Sequence, residues 1–337
     1  MSDQRNGGIA WTDQTWNPVR GCSRVSAGCM NCYAESMAGR FSGIGQPYEG
    51  LTAKDSQGRA KWTGKIKLVH EHLEDPLRWK RPRKIFVNSM SDLFHPEVPD
   101  EFIDQVFAVM ALAKQHTFQV LTKRPERMLE YIGDLHPGSE RVLAIRQATS
   151  QFMAIAGNPA WPIHFPLPNV WLGTTVENQE SADERIPLLL QTTAAVRWVS
   201  MEPLLGKVDL RYITHEKAWL VGEEWSLNMN ALSGFKASSP YGGINSHRLD
   251  WVVVGGESGT NARPMHPDWA RSLRDQCAVA GVPFLFKQWG EWLPDNQNNA
   301  VSPPHDVSGS IRVGKKSAGR LLDGVQHDGY PNMVLLP

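Results

Sequence analysis

Short runs rich in β-branched and aromatic residues recur along the chain at 84–88, 118–122, 170–176, 196–201, 249–254 and 283–287, most of them separated by stretches of helix length. That alternation predicts βα units on a parallel sheet. Between the first two runs, Phe102, Ile103, Val106, Phe107 and Met110 repeat at helical spacing after a start signal at Pro99 and Asp100. A second helix is predicted to start at His266 or Pro267 and to run to Ala280, with Gly281 as its stop.

The residues that close these runs are polar. They read Asn88, Ser89, Ser91 and Asp92; Thr122, Lys123 and Arg124; Thr174, Thr175, Glu177 and Asn178; Ser200 and Glu202; Gly255, Gly256, Glu257 and Ser258; Lys287 and Gln288. In a (β/α) barrel the C-terminal ends of the strands form the face where an active site is built, so six polar endings predict a shared functional mouth. Two stretches interrupt the alternation, at about 137–169 and 212–248. Both are rich in Gly, Pro, Asn, Ser and Trp, and they read as insertions that act as lids or substrate-binding loops. Residues 1–293 are expected to form one (β/α) unit carrying these insertions. Residues 294–337 form a Pro-, Asn- and Gly-rich C-terminal extension that wraps the surface or is partly mobile.

Composition narrows the setting. The chain has 337 residues, 4 cysteines and no secretory apolar segment after Met1, which points away from a disulfide scaffold and toward a reducing, cytoplasmic compartment. No apolar run approaches the roughly 18 residues needed to span a bilayer. Lys plus Arg and Asp plus Glu both number 35, so any contact with nucleic acid has to be local. Arg78, Lys80, Arg81, Arg83 and Lys84, interleaved with Trp79 and Pro82, form one basic cluster, with Lys123 and Arg124 farther along. The cluster reads as a nucleic-acid contact or as a solvated surface ahead of a strand.

Three of the four cysteines, Cys22, Cys29 and Cys32, fall within eleven residues in GCSRVSAGCMNCYAE. Such spacing suggests a metal or iron–sulfur site. A structural zinc needs four ligands, so a fourth would have to come from His70, His72 or His95. Cys277 falls on the apolar face of its helix and reads as a core thiol. Three thiolates suit a [4Fe–4S] cluster with one iron left open.

The segment WNPVRGCSRVSAGCMNCYAE, with the later runs VNSMSDLF, FQVLTKRPERM, VWLGTTVEN, WVSMEPLLG, WVVVGGESG, ARPMHPDW and PFLFKQWGEW, resembles phage and prophage three-cysteine-motif proteins of unknown function. That family is similar to radical S-adenosylmethionine (SAM) proteins of the spore photoproduct lyase type, and the resemblance spans roughly residues 9–293. It implies an α/β fold, a partial (β/α) TIM-like barrel of the radical SAM type with loop and helical insertions. It also implies a [4Fe–4S] cluster on Cys22, Cys29 and Cys32, with S-adenosyl-L-methionine cleaved to a 5′-deoxyadenosyl radical that takes hydrogen from the substrate. Two features depart from the usual motif. The first interval holds six residues instead of three, and Asn31 stands where an aromatic residue is common, which leaves Tyr33 to pack near the adenine.

The same resemblance assigns roles at the mouth. Ser89, Ser91 and Asp92 would hold the methionine amine, and Thr174, Thr175 and Glu177 the ribose hydroxyls. Lys123 and Arg124 would neutralise a carboxylate or phosphate. Glu257 would face the cofactor, although its Gly255-Gly256-Glu257 run lacks a dinucleotide-loop pattern. Glu202 is a ligand, an acid–base group or a carboxylate paired with Arg263 or Lys287. His95 and His266 precede prolines and read as loop or helix-start positions. Trp289 and Trp292 either pack in the core or stack on a base. The implied substrate is a nucleobase or modified nucleotide in phage or bacterial DNA or RNA, with flavodoxin or ferredoxin as electron donor. Two other classes stand beside this one: a zinc-stabilised nucleic-acid-binding protein, and a metal-dependent nuclease using Asp92, Glu177, Glu202 and Glu257.

Overall fold

A computed structural model describes residues 9–156, 163–220, 223–236, 244–245, 247–297 and 309–332. Its centre is a seven-stranded, all-parallel sheet curled into a half barrel. The strands are β1 (Gln14–Trp16), β2 (Lys84–Val87), β3 (Thr117–Thr122), β4 (Val170–Thr175), β5 (Val196–Met201), β6 (Trp251–Gly255) and β7 (Phe284–Gln288). They lie side by side in chain order. The six runs read from sequence are therefore β2 to β7. The first strand, three residues long, carries too little pattern to be read in advance.

The helices are α1 (Tyr33–Arg40), α2 (Asp100–Leu112), α3 (Pro125–Gly133), α4 (Glu140–Ala156), α5 (Gln179–Gln191) and α6 (Pro267–Ala280). On α2, Phe102, Ile103, Val106, Phe107 and Met110 are all buried, as their spacing predicts. Fully burying a side chain of this kind contributes about 1.5–3 kcal/mol. At the start of α6 the His266 ring accepts a hydrogen bond from the Asp268 amide at 3.2 Å, and the helix ends at Gly281, φ +64°. His266 is thus a cap, and Cys277 is wholly buried in the core.

Both stretches read as insertions contain regular structure. The stretch 137–169 contains α4, whose Val142, Ile145, Ala148 and Phe152 are buried in the outer layer, and none of its described residues lines the cleft described below. Its proline and glycine residues flank the helix, which is why composition reads as a loop. The second stretch carries antiparallel strands Ile213–Leu220 and Glu223–Asn230, extended by Phe235–Lys236 and Ile244–Asn245. Its residues 221–222, 237–243 and 246 lie outside the described residues.

The C-terminal segment is fastened to the open edge of the sheet. Leu285 and Asp328 form an antiparallel bridge, the Gly329 amide bonds the Phe284 carbonyl, and Tyr330 lies on Trp251 with ring centroids 5.1 Å apart. Lys84 sits over the Tyr330 ring, 4.0 Å from its centroid, so the tail spans from β7 toward β2. Among the described residues no helix is long and apolar enough to cross a membrane.

Candidate functional site

Period-two alternation decides what fills the half barrel. Trp171, Trp198 and Trp251 point inward from β4, β5 and β6, and they pack with Trp11, Phe86, Val253 and Leu285 into an inner core separate from the helix-facing one. Trp11 lies 4.7 Å from Phe86 and 5.1 Å from Trp198 between ring centroids. Two residues on from Trp171, Gly173 leaves room for this layer, since a Cβ there would stand 2.6 Å from the Trp198 ring. Two residues farther again, the inward positions become Lys123, Thr175, Glu202 and Lys287. Above the tryptophans, at the C-terminal ends of the strands, opens a cleft of about 360 Å³.

The cysteine loop forms one wall of this cleft, and Cys22, Cys29 and Cys32 all line it. Three strand ends fasten the loop. From β3, Arg124 donates to Ser23 O and Oγ at 3.1 and 2.8 Å. From β4, Glu177 accepts from Ser26 Oγ at 2.7 Å, and Gly28 packs so closely that a Cβ would meet the Glu177 side chain at 2.5–3.0 Å. From β6, Glu257 accepts from Asn31 Nδ2 at 3.0 Å, while Arg263 donates to the Ala27 carbonyl at 3.0 Å. Glu35 in α1 is buried and accepts from Arg24 Nε and Nη2 and from the Trp62 amide, joining the loop to the neighbouring hairpin.

Each mouth carboxylate has its own cation. Asp92 pairs with Arg124 at 2.8 Å, Glu177 with Lys123 and with Arg185 at 3.0 Å, Glu202 with Lys287 at 2.6 Å, and Glu257 with Arg263 at 2.6 Å. Burial opposes ionisation of Glu177 and of Glu257, but Lys123 and Arg185 in the first case, and Arg263 in the second, hold both carboxyls below the ordinary glutamate value. Among the described residues no three His, Cys, Asp or Glu side chains meet closely enough to hold a single metal ion. Four separate ion pairs are a poor start for a divalent nuclease centre, which needs carboxylates that converge.

The thiols follow local physics. Burial pushes the half-buried Cys22 up to about 12; Asp92 adds to this and Arg124 opposes it. Burial also raises Cys32, against the pull of the Ala34 and Glu35 amides at the start of α1. Metal or cluster binding would therefore release protons. The three histidines considered as zinc ligands are engaged elsewhere. His70 packs edge-on to Phe102, His72 pairs with Asp75 at 2.9 Å, and His95 meets Ser23 Oγ at 2.8 Å while accepting from the Glu97 amide. The three thiols thus share one wall of the cleft, and each histidine considered as a fourth zinc ligand already has another partner.

Of the residues expected at the mouth, most line the cleft and some of these also brace it, while Thr174 and Glu177 do not line it. Tyr33, Ser89, Ser91, Asp92, Lys123, Thr175, Glu202 and Glu257 line the cleft with the cysteines. Asp92 is fully used, accepting from Thr122 Oγ1, the Phe94 and Lys123 amides and Arg124. Ser91 donates to Val19 O, and Thr174, buried, donates to Thr122 O outside the cleft. These are struts between strands. Trp289 is a core residue whose Nε1 bonds Leu321 O, and Trp292 bonds Ala262 O; neither lines the cleft. The basic residues also separate. Lys84 begins β2 and Lys123 follows the end of the neighbouring parallel strand β3, so the 78–84 cluster sits at the opposite end of the sheet from the cleft. There Arg78 pairs with Glu74 and Arg83 lies over Trp79.

Asn88, first of the polar residues that end β2, lines the cleft as its place in the sequence predicts. It is 2 % exposed, has φ +60°, and its Oδ1 accepts from the Val19 amide at 3.2 Å. That bond fixes which end of the amide is oxygen. Its Nδ2 has no hydrogen-bond partner among the described residues, an orphan donor in the cleft wall.

Comparison with known proteins adds one relationship. No curated protein and no solved structure matches the chain. Residues 6–331 match a family described only as protein of unknown function, DUF5131. With nearly the whole chain matched, the protein belongs to the DUF5131 family.

Proposed function

We propose that this protein is a radical SAM-type enzyme acting on a nucleobase or modified nucleotide, with Cys22, Cys29 and Cys32 as the ligands of a [4Fe–4S] cluster. The observation that carries this reading is the placement of a three-thiol loop across the C-terminal mouth of a curled parallel sheet, over a cleft of about 360 Å³. Bound there, cluster and SAM would supply a one-electron cleavage of a carbon–sulfur bond and a carbon radical able to take a hydrogen atom from the substrate.

The chain's own groups would then bind and orient. Asn88 Nδ2, without a partner among the described residues, would donate to the carboxylate of the methionine moiety, at the strand end where the resemblance implies cofactor contacts. Tyr33 is steadied by its hydroxyl bond to Ser89 O at 2.5 Å, which leaves its ring at the cleft edge for a planar group. Thr175 and Ser200 offer hydroxyls deeper in. Trp11 and Phe86 close the floor and exclude water. Flavodoxin or ferredoxin would deliver the electron.

The test is anoxic purification and reconstitution, followed by iron, sulfide and zinc analysis with an absorption spectrum. About four irons and four sulfides per chain, lost in Cys29→Ala, together with 5′-deoxyadenosine formed from SAM after reduction, are expected. One zinc and no sulfide would refute the reading.

A further inference from the structure

The half of the cleft away from the cysteines carries a second set of polar groups, and one of them comes from the C-terminal segment. Lys287 points inward from β7 and donates to both oxygens of Glu202, at 2.7 and 2.6 Å. Gln288 Nε2 donates to the same carboxylate and to Ser258 Oγ, each at 3.1 Å. An ammonium has three protons, so Lys287 keeps one donor beyond the two it gives to Glu202.

Lys315 lines the same wall. It begins a single helical turn, Lys315–Ala318, whose entry is fixed by bonds from the Val313 and Gly314 amides to the Glu291 carbonyl at 3.1 and 3.0 Å. Its exit is fixed by the Trp289 amide on Gly319 O at 3.2 Å. Among the described residues the Lys315 ammonium makes no hydrogen bond or ion pair. Desolvation, and then the charge of Lys287 beside it, lower its pKa from the usual lysine value; Glu202 and Glu291 pull the other way. Its neighbour Lys316, on the same turn, does not line the cleft.

Lys315 is itself an exposed residue, yet the docked turn sets its side chain on the same cleft wall as Lys287, whose own charge is already met by Glu202. A negative group entering between the two would accept from both and relieve their repulsion. We propose that Lys315 and Lys287 form an anchor for an anionic group of the substrate, a carboxylate or a phosphate. This deepens the reading of the cleft as a substrate site, but it needs neither cluster nor SAM. It would also give the C-terminal segment, which otherwise covers the sheet edge, a part in choosing the substrate.

The test uses the full chain without cofactors, its lysines labelled biosynthetically with carbon-13 so that each keeps its charge and all three ammonium protons and gives its own NMR signal. Lys315 and Lys287 signals are assigned by their loss in Lys315→Arg and Lys287→Arg. Inorganic phosphate and succinate are titrated separately, with chloride at matched ionic strength as control. The expected result is a saturable shift of both signals with one shared Kd, in the phosphate arm, the succinate arm or both; the responding arm identifies the anion. Lys315→Ala should weaken that Kd about tenfold, whereas Lys316→Ala leaves it unchanged. Shifts no larger than those from chloride, or an unchanged Kd in Lys315→Ala, would overturn the anchor. Neither outcome depends on iron, sulfide or 5′-deoxyadenosine, so the anchor and the radical chemistry stand or fall separately.

Discussion

The carboxylate of Glu177 accepts a hydrogen bond from Ser26 Oγ at 2.7 Å, while the stem of the same side chain occupies the space that a Cβ on Gly28 would need. A residue at the end of β4 therefore sets both the polar and the steric fit of the loop between Cys22 and Cys32. Lys123 and Arg185 hold Glu177 in its charged form for that task.

This pairing predicts coupled mutations. Gly28→Ala forces the loop off Glu177 and should cost about 1–3 kcal/mol, the range for overpacking. Glu177→Ala leaves two cations with no carboxylate and should cost about 3–5 kcal/mol. The double mutant has no side chain for the new methyl to strike, so its cost should fall short of the sum by about 1–2 kcal/mol. Urea unfolding of the four proteins measures the coupling; strict additivity would disprove the contact.

Gly173 predicts a second overpacking effect, this time within the barrel. Its missing side chain is matched to the Trp198 ring, so Gly173→Ala should lower stability by about 1–3 kcal/mol and blur the near-UV circular dichroism of the tryptophan layer. Trp198→Phe in the same chain should recover part of that loss because the smaller ring gives the methyl room. A Gly173→Ala protein with wild-type Tm would show that the layer has slack.

Much of this was legible in the residues. The six runs that became β2 to β7 announce themselves by composition, and the polar endings mark the mouth because strand ends in such a sheet share one face. The partner of each polar residue was not legible. Glu177 and Asp92 read equally well as ligands or as struts, since residue type reveals charge but not which cation folds beside it. Asn88 reads from sequence as a mouth residue, but its unmet donor does not, because donors are counted only once Val19 has been placed against its other end. The tryptophan layer did leave a signal. Trp171, Trp198 and Trp251 each stand two residues ahead of a smaller residue, Gly173, Ser200 and Val253, the mark of inward positions narrowing in size toward the cleft.

His116 gives a prediction about acid. It is 1 % exposed, with Nε2 on the Pro76 carbonyl at 3.0 Å, and burial lowers its pKa from the ordinary histidine value. In the unfolded chain the ring takes a proton near its usual pKa of about 6.5, while the folded protein resists doing so. The stability it supports is therefore complete above about pH 6.5 and declines as pH falls toward the lower folded value. His116→Gln keeps a donor near Pro76 and removes the titration. Unfolding free energies measured between about pH 7 and pH 5 should fall less steeply in that variant than in the wild type. Identical slopes would mean that the ring is not held neutral.

Asn88 predicts a selective loss of cofactor binding. Asn88→Asp keeps an oxygen for the Val19 amide and a residue type that tolerates φ +60°, so the fold should change little. The orphan donor, however, becomes a carboxylate oxygen facing the place proposed for the methionine carboxylate. Loss of one charge-assisted hydrogen bond and the new like-charge contact should weaken SAM binding by at least about tenfold, read by calorimetry on the reconstituted protein. Iron and sulfide content should stay at wild-type levels, because no cysteine contact is touched. Asn88→Ala separates the two contributions: it removes the donor without adding charge, and its loss should be smaller than that of Asn88→Asp. If both variants bind SAM as the wild type does, the donor serves the fold and the cofactor lies elsewhere in the cleft.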